Sequence, residues 1–204
     1  MDCAGCGFEN LAGAHFCGEC GASLATVASC PGCGAENPGA HKFCSACGGR
    51  LAVVREEGRT RRRCRRCGFT VYGNPVPTAV ALIMRGGRVL LTRRARPPYA
   101  GTWDVPGGFL EAGEHPEACL RRELREELGM RVRQARLLDF ALDRYGPKGF
   151  PLLTLVYRVT PAPGRLTPGD DVSEARWFPR KAIPYHAIAF RGLRRLLRRR
   201  ISGR

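Results

Sequence analysis

The reading of the fold turns on one segment, GFLEAGEHPEACLRRELREELGM, Gly108–Met130. Pro116 suits the first turn of a helix, where a missing N–H costs nothing, and Gly129 follows Leu128 as a left-handed stop. The helix expected over 116–128 carries Glu123, Glu126 and Glu127 at i, i+3 and i+4, so three carboxylates crowd one side of it. Like charges at that spacing weaken a bare helix, and a hard divalent cation with oxygen ligands relieves the repulsion. Mg2+ prefers a few carboxylates completed by waters and substrate phosphate oxygens. Arg122 follows Glu114 by eight residues, just over two turns, within reach of a steadying ion pair. Gly107 and Gly108 allow the backbone to come close to a metal and a phosphate. Cys119, inside the helix, reads as a small buried filler rather than a nucleophile.

Outward from this segment the chain alternates strands and loops. Val76–Met84 is apolar and strand-like, Gly86-Gly87 signals a hairpin turn, and Val89–Thr92 is the returning strand. Residues 93–102 form a Pro/Gly loop. After the helix, strands are expected over Arg131–Leu142, Leu152–Thr160 and Ala175–Phe178, with a Pro/Gly/Asp loop over 165–172. Tyr185–Arg200 is expected as a helix with Leu193, Leu196 and Leu197 on one face. The order β-β-α-β-β-β-α implies a mixed sheet packed between helices.

The N-terminal quarter has a different texture. CAGCGFENLAGAHFCGECGASL from Cys3 recurs as CPGCGAENPGAHKFCSACGGRL from Cys30, an offset of 27 residues that aligns every cysteine. Ten of the 11 cysteines fall into C-x-x-C pairs at Cys3/Cys6, Cys17/Cys20, Cys30/Cys33, Cys44/Cys47 and Cys64/Cys67. Each pair of the repeat is followed at once by glycine, as a metal knuckle needs where the chain turns back under the sulfurs. Four thiolates suit tetrahedral Zn2+, and a closed four-sulfur site is structural. Units this short bury little core, so the metal supplies their folding energy. Five pairs make two complete sites, and two assignments remain open. Either each repeat closes on itself and Cys64/Cys67 is left over, or Cys44/Cys47 closes with Cys64/Cys67 and Cys30/Cys33 is left over. The expected organisation is a tandem zinc-ribbon module over 1–50, an Arg-rich linker with the last knuckle over 51–75, and one larger domain over 76–204.

The chain of 204 residues carries 34 Lys+Arg against 18 Asp+Glu, a formal charge of +16. All but Lys42, Lys148 and Lys181 of those cations are arginines. Such a balance attracts polyanions, and nucleic acid or nucleotides head that class. The RTRRRCRRCGF run from Arg59 and the arginines of 191–200 are its strongest concentrations. No stretch approaches the ~18 consecutive apolar residues of a membrane helix. MDCAGCGFEN lacks the basic and apolar regions of a secretory leader. Paired thiols without a secretion signal point to zinc in a reducing, cytoplasmic setting, with no membrane partner.

Gly108, Glu114, Arg122, Glu123, Leu124, Glu126, Glu127, Gly129 and Met130 fill the pattern G-x5-E-x7-R-E-U-x-E-E-x-G-U (U apolar) at every position. The segment thereby resembles the Nudix box, and the resemblance to Nudix hydrolases covers roughly residues 76–204. It implies an α+β fold, a Nudix α/β/α sandwich with a mixed sheet preceded here by small zinc ribbons. It also implies Mg2+- or Mn2+-dependent hydrolysis of the pyrophosphate bond of a nucleoside diphosphate linked to another moiety. Carried over residue by residue, Glu123 and Glu127 are principal metal ligands, Glu126 is a further one, and the Gly108 carbonyl completes the set. Arg122 orients a glutamate, while Glu114 and Gly129 support the box. The general base is a box glutamate or one on a later loop, where Glu174 in SEARWF is available.

A second resemblance covers Phe43–Pro77, which is similar to the zinc ribbon preceding the catalytic domain in one Nudix branch, including the exit Cys67, Gly68, Tyr72, Asn74 and Pro75. It favours Cys44, Cys47, Cys64 and Cys67 as one site, against the pairing that the repeat favours; Cys3, Cys6, Cys17 and Cys20 form a site in either case. That branch implies ADP-ribose or FAD as substrate. The S-Q-P-W-P-F-P-x-S motif of NAD(H) pyrophosphatases is absent from DFALDRYGPKGFPLLTL, Asp139–Leu155. Arg93, Arg94, Tyr99 and Trp103, just before the box, are the candidate substrate contacts through phosphate binding and ring stacking. A rival reading makes the ribbons a nucleic-acid- or protein-binding adaptor joined to a nucleotide-sensing Nudix domain. Homodimers are frequent in the family.

Overall fold

The computed structural model describes residues 2–3, 6–10, 14, 16–22, 24, 42–146 and 150–202. The chain divides into two compact units, Met1–Asn74 and Pro75–Arg204. Among the described residues no helix is long and apolar enough to cross a membrane.

The first unit is organised by sulfur. Cys3, Cys6, Cys17 and Cys20 converge, and so do Cys44, Cys47, Cys64 and Cys67, the sulfurs of each set lying within 4.8 Å of one another. The Cys3–Cys20 and Cys6–Cys17 separations are 3.7 and 3.5 Å, and Cys44–Cys67 and Cys47–Cys64 are 3.8 and 3.4 Å. A tetrahedron with Zn–S bonds of ~2.3 Å has an S···S edge of about 3.8 Å, so both sets fit the ion. Of the two assignments that the spacing left open, the structure takes the one that joins Cys44/Cys47 to Cys64/Cys67; Cys30 and Cys33 lie outside the described residues. Gly7, Gly21, Gly48 and Gly68 all take positive φ, and their N–H groups donate to the carbonyls of Cys3, Cys17, Cys44 and Cys64. These are the knuckle turns expected after each pair, with Gly68 added at the fifth.

The segment read as an Arg-rich linker is strand. β1 (Leu51–Glu56) and β2 (Arg59–Cys64) pair antiparallel, and β3 (Thr70–Val71) pairs with β2. Its arginines are spent partly on this hairpin. Arg63 donates to Thr70 and pairs with Glu56, and Arg61 lies 4.5 Å over the Tyr72 ring. β1 carries the apolar run Leu51–Val54, but the arginines of β2 leave no apolar alternation to mark its partner strand.

The second unit is a mixed seven-stranded sheet. β4 (Val76–Arg85), β5 (Arg88–Arg94), β8 (Val132–Arg144), β9 (Pro151–Pro161) and β10 (Val172–Pro179) run in the order β10-β5-β4-β9-β8. β4 and β9 are parallel, and the remaining pairs are antiparallel. Two short strands were not legible as strands, β6 (Trp103–Asp104) on β5 and β7 (Gly107–Phe109) on β4.

Successive side chains of a strand face opposite sides. On β4, Ala79, Ala81 and Ile83 join one core with Leu120, Leu124 and Leu128, while Val80 and Leu82 join another with Leu193, Leu196, Leu197 and Ile201. The first core belongs to α1 (Pro116–Leu128) and the second to α2 (Arg191–Ser202). The sheet thus has a helix on each face, which is the expected sandwich, and β4 reads as a continuous apolar run because both faces are covered.

The helix expected from Tyr185 starts six residues later. Tyr185–Ala187 is only a single 3-10 turn. The start of α2 is set by a distant residue: the Asp143 carboxylate on β8 accepts the N–H groups of Gly192 and Leu193 at 2.6 and 2.9 Å. Arg199 and Arg200 then pair with Asp139 on the same strand.

Candidate active site

The site grows from the contact between β7 and β4. Ala79 pairs with Gly108 and Val80 with Gly107, so two glycines lie directly against the central strand. Gly107 has φ +137°, and a Cβ there would stand 2.2 Å from the Ala79 carbonyl oxygen. A Cβ on Gly108 would stand 2.4 Å from the Glu123 carboxylate. Backbone and carboxylate are in contact only because neither position carries a side chain.

α1 brings the carboxylates to that point. It opens on His115, whose imidazole accepts the Glu117 N–H, with Pro116 in its first turn, and ends on left-handed Gly129. Glu127 is buried, and its Oε2 accepts the Gly107 N–H at 2.9 Å. Burial pushes its carboxyl well above the usual range, and the charges of Asp171, Glu123 and Asp104 add to the push. Glu123 is raised too, again chiefly by burial, with Glu126 and Asp171 contributing.

Arg122 holds the outer half together. Its Nε and Nη2 donate to Glu114 at 3.0 Å each, its Nη1 to Glu123 at 2.7 Å and Glu126 at 3.1 Å, and its Nη2 also to the Phe109 carbonyl at 3.0 Å. The guanidinium holds the Glu114 carboxyl down at about 2. The ion pair expected across two turns is therefore present, and the same arginine also reaches the carboxylate of its neighbour. Cys119 is buried, donates its thiol to the Phe109 carbonyl at 3.3 Å, and has its pKa pushed up to about 12, the state of a packed thiol.

A buried and a half-buried carboxylate that resist ionisation, a third exposed one and a backbone at close approach make a donor set of hard oxygens. A divalent cation is the group that lets such carboxylates stay charged together. The residues fit one.

The remaining candidates are dispersed. Glu174 lies on β10 and pairs with Arg93 and Arg176, so its charge is taken. Arg93 is exposed and donates to the Gly101 carbonyl. Arg94 is mostly buried and pairs with Asp104 at 3.5 Å, a carboxylate that burial pushes up to about 6. The Arg94 guanidinium also sits 5.9 and 5.8 Å from the rings of Tyr145 and Phe190. Trp103 packs edge-on against Phe178, with Arg176 over its ring, as an anchor of the loop before the box. Tyr99 meets Phe190 edge-on.

Sequence reasoning missed two features. Asp171 raises both Glu123 and Glu127 and so faces the carboxylates. Its loop is tied to the end of α1 by Thr167 and Gly169 N–H bonds to the carbonyls of Leu128 and Glu127. The other feature is a half-buried aromatic cluster of Phe109, Tyr145, Phe150, Phe190 and Tyr99, in which neighbouring rings lie 5.1 to 6.4 Å apart. Phe109 directly follows Gly108, so the cluster borders the carboxylates. Only the position of Phe109 next to the box could have signalled it.

A family model of the NUDIX domain matches residues 74–199, and one of the double zinc ribbon matches residues 3–48. The latter stops short of Cys64 and Cys67, which the structure draws into the second cluster. Among curated relatives, the NAD-capped RNA hydrolase NudC of Pseudomonas aeruginosa is 33% identical over 126 residues, 60% of this chain and 42% of the relative. The NudC of Deinococcus radiodurans is 35% identical over 147 residues, 69% of this chain and 50% of the relative. The ADP-ribose pyrophosphatase of Methanocaldococcus jannaschii is 30% identical over 117 residues, 57% of this chain and 69% of the relative. The chain therefore spans half or less of the length of these NudC relatives. Among solved structures, a NUDIX hydrolase from Nitrosomonas europaea superposes with TM-score 0.59 at 30% identity, covering 80% of this chain and 94% of that one.

Proposed function

The chain belongs to the Nudix family, and from that membership we propose that it is a Mg2+-dependent pyrophosphatase acting on a nucleoside diphosphate linked to a second moiety, with ADP-ribose and FAD as foremost substrates. The observation that carries this reading is the meeting of Glu123 and Glu127 with the Gly107–Gly108 backbone. Glu123, Glu126, Glu127 and the Gly108 carbonyl would hold the cation. When bound, it lowers the pKa of a water and neutralises charge on the phosphate oxygens.

The chain's own groups do the positioning. Arg122 fixes the Glu123 carboxylate, and the Gly107 N–H fixes that of Glu127. With Glu174 committed to two arginines, Asp171 is the loop carboxylate left to accept the proton of the attacking water. Phe109 and its neighbours offer a flat ring of the substrate a face to stack on.

Hydrolysis of the NAD(H) pyrophosphate is a second reading, favoured by the NudC relatives. The zinc sites, in this account, hold the first unit together.

The test is turnover of ADP-ribose, FAD and NADH with Mg2+ or Mn2+, by zinc-loaded protein and by Glu127→Gln. Metal-dependent hydrolysis lost in the variant supports the proposal, and the ranking of the three compounds separates its two readings. A folded, zinc-loaded protein inert on all three overturns it and makes the nucleotide-sensing adaptor the leading alternative.

A further inference from the structure

The second unit contains a cleft whose lining includes none of the carboxylates of the active site. It encloses about 310 Å³ at one end of the sheet, and Arg85, Arg131, Arg165, Trp177, Met130 and Leu166 line it. Arg85 ends β4, Arg131 precedes β8, Arg165 sits on the loop between β9 and β10, and Trp177 lies on β10. Ala79, which pairs with Gly108, lies six residues back along β4 from Arg85. At ~3.3 Å per residue that sets the Arg85 edge of the cleft roughly 20 Å from Ala79, while Gly129 and Met130 on its other side directly follow the end of α1.

The lining has an unusual composition. Arg85, Arg131 and Arg165 are all exposed, and no carboxylate among the described residues pairs with them. Three arginines line one concavity and carry fifteen N–H donors between them. Such a set is stabilised by a ligand with several anionic oxygens. Trp177 is only half-buried. It packs partly against the α1-side core and partly forms the cleft wall. An indole next to guanidinium groups offers a stacking face beside an anion site. The volume is at the lower end of the ~300–1,000 Å³ of small-molecule pockets, the size of one mononucleotide.

We infer that this cleft binds a phosphorylated nucleoside, its phosphate on Arg85, Arg131 and Arg165 and its base against Trp177, either as a free mononucleotide or as one residue of an RNA strand. Binding there involves none of the active-site carboxylates.

The experiment uses the full zinc-loaded chain in magnesium-free buffer without chelator, so that nothing turns over. AMP and a short oligoadenylate RNA are titrated while tryptophan fluorescence is followed. Both should quench it, and the quench should vanish in Trp177→Phe at an unchanged melting temperature. Arg131→Glu/Arg165→Glu should weaken binding roughly tenfold or more, as expected for lost charged hydrogen bonds. For the RNA, the salt slope should fall by roughly 0.7 per lost phosphate contact. Arg191→Glu/Arg195→Glu on α2 makes the same change in net charge away from the cleft and should leave affinity near that of the parent chain. Equal affinities for AMP and RNA identify a free nucleotide as ligand, and affinity rising with strand length identifies RNA. An equal loss in the α2 variant would reduce the effect to bulk charge and overturn the inference, as would the absence of binding by either ligand.

Discussion

Replacing Gly108 by alanine separates the chemistry of the site from the stability of the fold. The added Cβ would lie 2.4 Å from Cδ and Oε1 of Glu123 and 2.7 Å from Oε2. Ordinary contact begins near 3.4 Å, so the carboxylate must retreat by about 1 Å, a displacement that costs on the order of 100-fold when it moves a catalytic group. Gly108 has no positive φ, so alanine brings no backbone strain. The group that gives way is the far end of a side chain, and Arg122 pulls it from the other side. Unfolding should change by no more than about 1 kcal/mol, since the backbone entropy saved by Gly→Ala offsets part of the clash. Gly107→Ala is the contrasting case. Its Cβ would meet the Ala79 carbonyl at 2.2 Å from a φ of +137°. That clash is with the central strand itself and should cost the fold several kcal/mol, of order 3.

The assay is paired. Differential scanning calorimetry gives the melting temperature, and metal titration of both ADP-ribose hydrolysis and Mn2+ binding gives the site. For Gly108→Ala the expectation is a melting temperature within a few degrees of the parent, turnover down about 100-fold and weaker metal binding. Parental turnover and metal affinity in Gly108→Ala would refute the argument that the position of Glu123 sets activity. An equal collapse of stability in both variants would refute the distinction between side-chain and backbone contact.

Asp143→Ala removes the acceptor of two N–H groups at the start of α2 and should cost about 1–2 kcal/mol, a fall in melting temperature of several degrees at unchanged zinc content. Cys64→Ser should lose one zinc per chain by atomic absorption, and retention of both ions would return the Cys44/Cys47 pair to Cys30/Cys33. Asp104 has a native pKa of about 6 against an ordinary 3.8. The unfolded chain releases that proton first, so the Asp104 share of stability should fall as pH rises from about 4 to 6 and then level off, read as a difference of roughly 3 kcal/mol between the pH dependences of the parent and Asp104→Asn in denaturant titrations.

What could be read from the sequence was what is local. The box helix needs only Pro116, the carboxylate spacing and Gly129, all within 14 residues of chain. The apolar runs of β4 and β9 declare themselves because both of their faces are covered. The short strands β6 and β7 have no periodicity of their own. They exist because β4 and β5 offer them partners, and a two- or three-residue strand carries too little pattern to detect. The start of α2 escaped for a related reason, since its cap, Asp143, is 49 residues upstream. Glu174 and Asp171 show the limit at the site. Both are carboxylates three residues apart, and only the tertiary position of arginines 93 and 176 commits the first and leaves the second facing Glu123 and Glu127.

The three glutamates of the helix also resolve into unequal parts. Identical in spacing logic, they differ in what surrounds them. Glu126 is exposed and shares Arg122, Glu123 is half-buried and shares the same guanidinium, and Glu127 is buried on a backbone N–H alone. Removing Arg122 would therefore leave Glu127 where it is and release the other two. Arg122→Lys keeps the charge but not the fork that reaches Glu114, Glu123 and Phe109 together. It should raise the metal concentration needed for half-maximal turnover more than it lowers turnover at saturation, and Glu114 should climb from about 2 toward the ordinary carboxylate range in an NMR titration. If saturation turnover fell while the metal requirement stayed fixed, Arg122 would be acting on the substrate and not through Glu123.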